Sequence, residues 1–158
     1  MSGPGFLLRI DGTPVGWART LVNHRQRRHF KAPKTARGQA DVLLAWIAAG
    51  SPRLPDGPVA MTIEVTLRRP KSHRKRDGSL SAAGLRSPLP MKKPDVDNVN
   101  KLVADALNGR AYHDDAHITS AHTFKRWADA DEPESTVVYV RPALSVRLPA
   151  RAVALLAA

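Results

Sequence analysis

The sequence predicts a single α+β domain in which a small mixed β-sheet is packed by helices, in the order β-α-β-α-β-β. A length of 158 residues fits one domain. Residues 59–69 alternate apolar and polar side chains as a half-buried strand does, and two other segments space apolar residues at helical intervals. Strands and helices mixed in this order are typical of α+β domains. We expect the domain to span residues 1–142, followed by a tail, residues 143–158, of unknown role.

The first half of the chain contains a strand, a basic segment and a helix. Residues 6–10 (FLLRI) form a short apolar run that predicts a strand, and a turn follows at Asp11-Gly12. Residues 16–34 are basic and irregular. A helix is predicted over residues 35–49, because Val42 and Trp46 recur at helical spacing and Gly50 then ends the pattern.

The second half begins with the strand at residues 59–69 and a long connection at residues 70–93. Connections of this length are usually functional or disordered. A second helix is predicted from about Asn98 to Leu107, with Asn108-Gly109 as its stop signal. Residues 118–127 and 136–141 predict two closing strands, which we expect to pair antiparallel because they are close in sequence. The tail is rich in Ala, Leu and Val and could form a short docking helix.

The composition favours an anionic partner. Lys and Arg number 25 against 14 Asp and Glu, which gives a formal net charge of +11 and a pI near 10.9. Such an excess is typical of proteins that bind nucleic acid or an anionic membrane. No apolar run approaches the roughly 20 residues of a membrane span, and the first residues lack the features of a secretory signal. The absence of cysteine excludes disulfides and thiolate metal sites. We expect a cytoplasmic protein.

A concentration of carboxylates in so basic a chain indicates a bound cation. Asp95 and Asp97 are two residues apart, so their side chains point to one face if this segment is extended. Asp97 is also a good N-cap for the following helix. Asp114 and Asp115 precede the next strand, and one of them completes a three-carboxylate cluster if that strand runs beside Asp95. Ligation by oxygen alone suits Mg²⁺ or Mn²⁺ better than Zn²⁺.

Each of these features also has an ordinary structural explanation. Lys101 lies one helical turn after Asp97 and could stabilise charge on a phosphate, but it is equally suited to an exposed ion pair with Asp105. The segment around Asp95 could be a simple helix cap, and Asp114-Asp115 a turn. The basic connection could be no more than a solvated surface. Only the joint order of the features favours a catalytic site.

That joint order resembles a known family. KPDVDNVNKLVADALNG followed by HDDAHI, residues 93–118, is similar to the pattern of the RusA family of Holliday junction resolvases, which are crossover junction endodeoxyribonucleases. The family pattern is Pro-Asp-x-Asp-Asn, a Lys one turn later, Asp-Ala-Leu-Asn-Gly, and Asp-Asp before an apolar strand. Two flanking segments, HFKAPKTARGQADV and RRPKSHRKR, also resemble family segments. His117 departs from the Gln that is common after Asp-Asp-Ala.

The resemblance implies a RusA-like fold and an activity. Members are homodimeric, metal-dependent nucleases that hydrolyse paired phosphodiesters in four-way DNA junctions during recombination and repair, and many are encoded by phages or prophages. The cofactor implied is Mg²⁺, with Mn²⁺ as a substitute. Carried over by position, the catalytic and metal-binding aspartates are Asp95, Asp97 and Asp115, and Lys101 is the catalytic lysine. Asp114 and Asn98 match family positions with supporting roles.

A homodimer suits such a substrate, because a four-way junction has approximate two-fold symmetry and needs two opposed incisions. Basic side chains should contact the phosphates of the junction and add little sequence information. The residues predicted to bind DNA are Lys71, Arg74, Lys75, Arg76, Arg25, Arg27 and Arg28. Three alternatives stay open: a nuclease of other branched DNA or RNA, a non-catalytic nucleic-acid-binding protein, and a structural phage protein that binds a metal for stability.

Overall fold

A computed structural model of the chain describes residues 5–19, 21–23 and 28–143, with the backbone alone at 21–23 and 28–30. It contains six strands and three helices within those ranges. The strands are β1 (Phe6–Asp11), β2 (Leu21–Asn23), β3 (Arg28–Phe30), β4 (Val59–Leu67), β5 (Ile118–Trp127) and β6 (Ser135–Pro142), and the helices are α1 (Pro33–Ala48), α2 (Ala82–Leu85) and α3 (Val96–Leu107). The predicted α+β class with a mixed sheet is confirmed.

The main sheet has four strands in the order β1-β6-β4-β5. β5 runs parallel to β4, while β6 lies antiparallel to both β4 and β1. The prediction that the two closing strands pair with each other was wrong, because β4 lies between them. β4 is buried along most of its length, and a strand this apolar gains most in the centre of a sheet, where it has two neighbours.

Helices α1 and α3 cover one face of the sheet and enclose the core. α3 turns a stripe that includes Val99, Leu102 and Val103 into the core, which also holds the fully buried Ile63 and Val65 of β4. A stripe with this spacing is what an amphipathic helix uses against a sheet. Because β4 and β5 are parallel, the connection between them, which contains α3, is a crossover. It carries the chain from the end of β4 back to the end of the sheet where β4 begins.

The boundaries differ from the predicted ones in the basic parts of the chain. Residues 16–34, predicted to be irregular, contain the antiparallel pair β2 and β3. α3 begins at Val96 rather than Asn98. The predicted tail helix lies outside the described residues, as do Arg25 and Arg27 and the side chain of Arg28.

The connection between β4 and α3 is ordered by its own short elements. It holds a 3₁₀ turn at Lys71–His73, the four-residue α2 and an isolated bridge between Arg74 and Leu80. Gly84 is required in α2, since a Cβ there would lie 2.3 Å from the carbonyl oxygen of His73. In the described part of the chain, no helix is both long and apolar enough to cross a membrane.

Candidate active-site cleft

A cleft of about 830 Å³ opens beside the N-terminal end of α3. Three carboxylates lie in its wall, from Asp95, Asp97 and Glu134. Four basic side chains share that wall, from Arg19, Lys34, Lys92 and Lys93. Carboxylates surrounded by cations can hold a divalent ion while the rim attracts a polyanion, because the field of the basic groups reaches beyond the acidic centre.

Asp95 and Asp97 owe their places to the start of α3. Asp95 is the N-cap residue with extended backbone, and Asp97 lies in the first helical turn. The prediction that Asp97 caps the helix was therefore wrong, and the extended backbone that was the condition for a shared face ends at Asp95, yet both side chains reach the same cleft. In the described structure, Asp95 does not cap the helix with its side chain, and its Oδ2 lies 3.5 Å from Asn98 Nδ2. Both carboxylates are exposed at the N-terminal end of the helix.

The chain after β1 packs closely against this helix start. The amide of Trp17 donates to the carbonyl of Asn98 at 2.8 Å. Gly16 faces the same turn, and a Cβ there would lie 3.1 Å from Pro94 Cβ and 3.2 Å from Asn98 Cβ. A larger residue at position 16 would push against the segment that carries Asp95, so the close approach helps to define the cleft.

Glu134 is a cleft residue that the sequence reasoning missed. Its carboxylate accepts hydrogen bonds from the Arg68 amide and the Thr13 hydroxyl, both at 2.9 Å. Burial raises the pKa of Glu134, but these hydrogen bonds outweigh burial and leave the pKa below its usual value. The residue joins the ends of β1, β4 and β6 at the edge of the cleft. No local pattern marks it, because its partners are far away in sequence.

Lys101 points away from the helix start toward two neighbours. Its Nζ lies 3.5 Å from Asp105 Oδ1 and 5.4 Å from the centre of the Trp17 ring. The ion pair considered from spacing alone is therefore present. It is exposed, so it contributes at most a few tenths of a kcal/mol and leaves Lys101 free to turn toward an anion at little cost.

Asp114 and Asp115 form the turn that leads into β5. Asp114 caps the 3₁₀ turn Asp115–His117 and accepts from the Ala116 amide at 2.8 Å, which lowers the pKa of Asp114. Burial raises the pKa of Tyr112, and the nearby charges of Asp115 and Asp105 raise it further. Because the Tyr112 hydroxyl donates to the Ala104 carbonyl at 2.9 Å, Asp115 lies toward the C-terminal part of α3.

The structure brings Asp95 and Asp97 together but leaves Asp115 outside the cleft wall. Ala104 lies seven positions after Asp97, which is about 10 Å along a helix axis at 1.5 Å per residue. β5 does run beside the Asp95 segment, but through Lys125 near its end rather than through its start. Within the described residues, no group of three or more His, Asp or Glu side chains is arranged to hold one metal ion. The predicted three-aspartate ligand set therefore stays a prediction.

The basic residues of the long connection line a second groove of about 570 Å³. Lys71, Arg74 and Lys75 lie on one side of it, while Asp129 and Glu132 lie on the other. The segment has a defined shape, since Arg74 donates to the Gly78 carbonyl at 3.0 Å and the Lys75 amide donates to Ser79 at 2.9 Å. Lys71, Lys75 and Arg76 are exposed, as residues that contact phosphates must be.

Comparison with known proteins agrees with the order of motifs along the chain. YqaN, an uncharacterized protein of Bacillus subtilis (strain 168), is 36% identical over 80 residues, which cover 49% of this chain and 55% of that protein. The matched part thus spans about half the length of this curated relative. The family model for the endodeoxyribonuclease RusA matches residues 11–140, a range that contains the cleft, α3 and the turn before β5. The chain therefore belongs to the RusA family of endodeoxyribonucleases.

Proposed function

We propose that this protein is a metal-dependent endodeoxyribonuclease that resolves four-way DNA junctions by paired, symmetric hydrolysis during recombination and repair. The observation that carries the proposal is the pair Asp95 and Asp97, exposed at the start of α3 in a cleft with four basic side chains. A binding protein without catalysis has no evident use for carboxylates there, since they would repel phosphate unless a cation lay between them.

The donor atoms available in the cleft fit Mg²⁺ or Mn²⁺. Carboxylate oxygens from Asp95 and Asp97 provide part of a hard-ion site, and water can fill the remaining positions. When bound there, the ion supplies polarisation of the scissile phosphate and activation of a water molecule. Lys92, Lys93 and Lys34 hold the DNA backbone at the rim, and Lys101 leaves Asp105 to stabilise negative charge on the phosphate.

We propose that association of two copies completes the metal site. Within one chain Asp115 lies outside the cleft wall, and the Glu134 carboxylate in that wall is already hydrogen-bonded to Arg68 and Thr13, so a further ligand has to come from elsewhere. In a symmetric dimer, a residue that lies outside its own cleft can enter the cleft of the second copy. The same two-fold symmetry would place the two cleavage sites on opposed strands of a junction.

The experiment that tests the function compares synthetic four-way, three-way and linear duplex DNA, with and without Mg²⁺, and maps the nicks. Paired nicks at symmetric positions in the four-way junction alone are expected. Asp56→Asn, which alters an exposed loop carboxylate outside the cleft, serves as the matched control. Equal cutting of the three-way junction would assign branched DNA in general as the substrate. Binding without cutting in Mg²⁺ would refute the enzymatic assignment.

The assembly is tested by measuring Mn²⁺ binding across a range of protein concentrations that spans dimer formation, with the mass determined in parallel. We expect affinity for the ion to rise as the dimer forms. Full affinity in the monomer would show that one chain provides the complete site.

A further inference from the structure

Strand β5 ends beside the segment that carries Asp95, and one of its side chains reaches that segment. Lys125 faces the helix-covered side of the sheet, since its register partner in β4 is Val65, which is 0% exposed. Its ammonium nitrogen donates to the carbonyl oxygens of Lys92 at 2.7 Å and of Pro94 at 3.2 Å. The second carbonyl belongs to the residue directly before Asp95.

The position of this ammonium group is unfavourable in one respect. A cation beside the first turn of a helix is repelled by the helix dipole, and α3 begins two residues after Pro94. Hydrogen bonds from an ionised donor are about twice as strong as neutral ones, so the two carbonyls can offset that repulsion. The ammonium group is therefore held by the backbone of this segment and in turn restrains it.

The rest of the segment is restrained from the other side. Lys92 Nζ lies 3.2 Å from the Arg68 carbonyl oxygen and 5.4 Å from the centre of the Trp127 ring. Lys125 then fixes the backbone of the same residue through its carbonyl. Residues 92–94 are thus attached both to the end of β4 and to β5, immediately before the first carboxylate of the cleft.

We propose that Lys125 is a positioning residue, which holds residues 92–95 so that the Asp95 carboxylate faces the cleft and can bind the metal ion. Lys125 does not line the cleft, so it acts through the backbone and not by touching DNA. The catalytic consequence rests on the proposed function, whereas the restraint on the segment does not depend on it.

The test compares three variants of the full chain. Lys125→Met keeps most of the side-chain length and removes the donors and the charge. Lys125→Arg keeps the charge and offers a planar fork that can donate to two carbonyls. Arg53→Met is the charge-matched control, because Arg53 is exposed in the loop before β4, at the opposite end of the parallel strand pair, and outside the cleft. Mn²⁺ binding, amide hydrogen exchange of residues 92–100, junction affinity in Ca²⁺ and Mg²⁺-dependent cleavage are measured for each.

For Lys125→Met we expect roughly tenfold weaker Mn²⁺ binding, because two charge-assisted hydrogen bonds to the segment before Asp95 are lost. Exchange should accelerate at residues 95–100 and stay unchanged in β4. A roughly tenfold higher Mg²⁺ requirement for cleavage should accompany a less than threefold change in junction affinity. Lys125→Arg should restore Mn²⁺ affinity to within about threefold of the unaltered protein, and Arg53→Met should match that protein throughout.

Two outcomes would overturn the proposal. Unchanged exchange and Mn²⁺ affinity with weaker junction binding would show that Lys125 contacts DNA directly. Faster exchange throughout the sheet, with no rescue by arginine, would show a general packing role. If the unaltered protein cuts no junction at all, the proposed function fails, but the exchange measurement still decides whether Lys125 positions the Asp95 segment.

Discussion

Asp95 and Asp97 illustrate how single residues serve both the helix and the cleft. A carboxylate in the first turn of α3 stabilises the helix by about 0.3–1 kcal/mol through the dipole. The same side chains are exposed in a cleft with basic walls, so their charge remains available to a cation. A short local motif at a helix start could therefore be recognised from sequence, and the structure brings its two carboxylates together.

Replacing either aspartate by asparagine should separate catalysis from binding. Asparagine keeps the shape of the side chain, but it removes the charge that holds a divalent ion. We expect Asp95→Asn and Asp97→Asn to lower junction cleavage at least about 100-fold, with junction affinity in Ca²⁺ within about threefold. Gel shifts and single-turnover cleavage provide the measurement. Normal cleavage by Asp97→Asn would remove that residue from the mechanism, and Asp56→Asn should cleave normally.

Lys101 allows its two interpretations to be compared directly. Lys101→Ala should reduce the single-turnover rate by roughly 10²-fold, because stabilisation of transition-state charge is lost, while junction affinity changes little. The thermal midpoint should move by less than about 2 °C, since an exposed pair contributes little. Asp105→Asn removes the partner alone and should not slow cleavage. Equal rates for Lys101→Ala and the unaltered protein would identify Lys101 as a surface ion-pair residue.

At the scale of elements, strands and helices whose apolar residues recur at a regular spacing could be predicted from the sequence. The pairing of the strands could not. β1, α1, β4, α3, β5 and β6 each follow from a local pattern. Which strands lie side by side depends on burial. β4 is buried along most of its length, and it therefore lies in the centre of the sheet with a neighbouring strand on each edge. Glu134 was missed for the same reason: its partner Thr13 is 121 residues away, and no local spacing encodes that contact.

The connection between β5 and β6 depends on an ionised glutamate. Hydrogen bonds from the Arg126 guanidinium, at 2.5 and 2.6 Å, lower the pKa of Glu132 from 4.5 to about 2, and the Asp129 amide assists. A pKa that is lower in the folded protein adds stability above the unfolded value, and that stability is lost as the pH falls through the folded value. We therefore expect the midpoint temperature of thermal unfolding to decrease as the pH is lowered from about 4.5 to about 2.

In Glu132→Gln the thermal midpoint should depend less on pH in this range, because the glutamine side chain does not titrate. The comparison is a series of thermal unfolding curves from pH 5 to pH 2.5, with Asp56→Asn as the control. An unchanged pH dependence in Glu132→Gln would show that other carboxylates govern acid unfolding.

For the whole molecule, the distribution of charge predicts how DNA binding responds to salt. With a net charge of +11 and exposed Lys71 and Lys75, the proposed complex with DNA should include many phosphate contacts. Each contact that is lost should reduce the slope of log affinity against log salt by about 1. We expect Lys71→Ala and Lys75→Ala to do this for every substrate shape alike, and Arg53→Met to leave the slope unchanged. Titrations between about 50 and 200 mM salt provide the test. A loss confined to four-way junctions would instead assign these lysines to branch recognition.

The insertion of β6 between β1 and β4 has a consequence for biosynthesis. β1 pairs with β6, as Phe6 does with Val140, so β1 has no place in the main sheet until β6 has emerged from the ribosome. Contacts between such distant residues slow folding, and the newly made β1 must wait with its backbone groups hydrated. A nascent chain halted before residue 135 would therefore lack the strand that joins β1 to the rest of the sheet, although β4, α3 and β5 would already be complete.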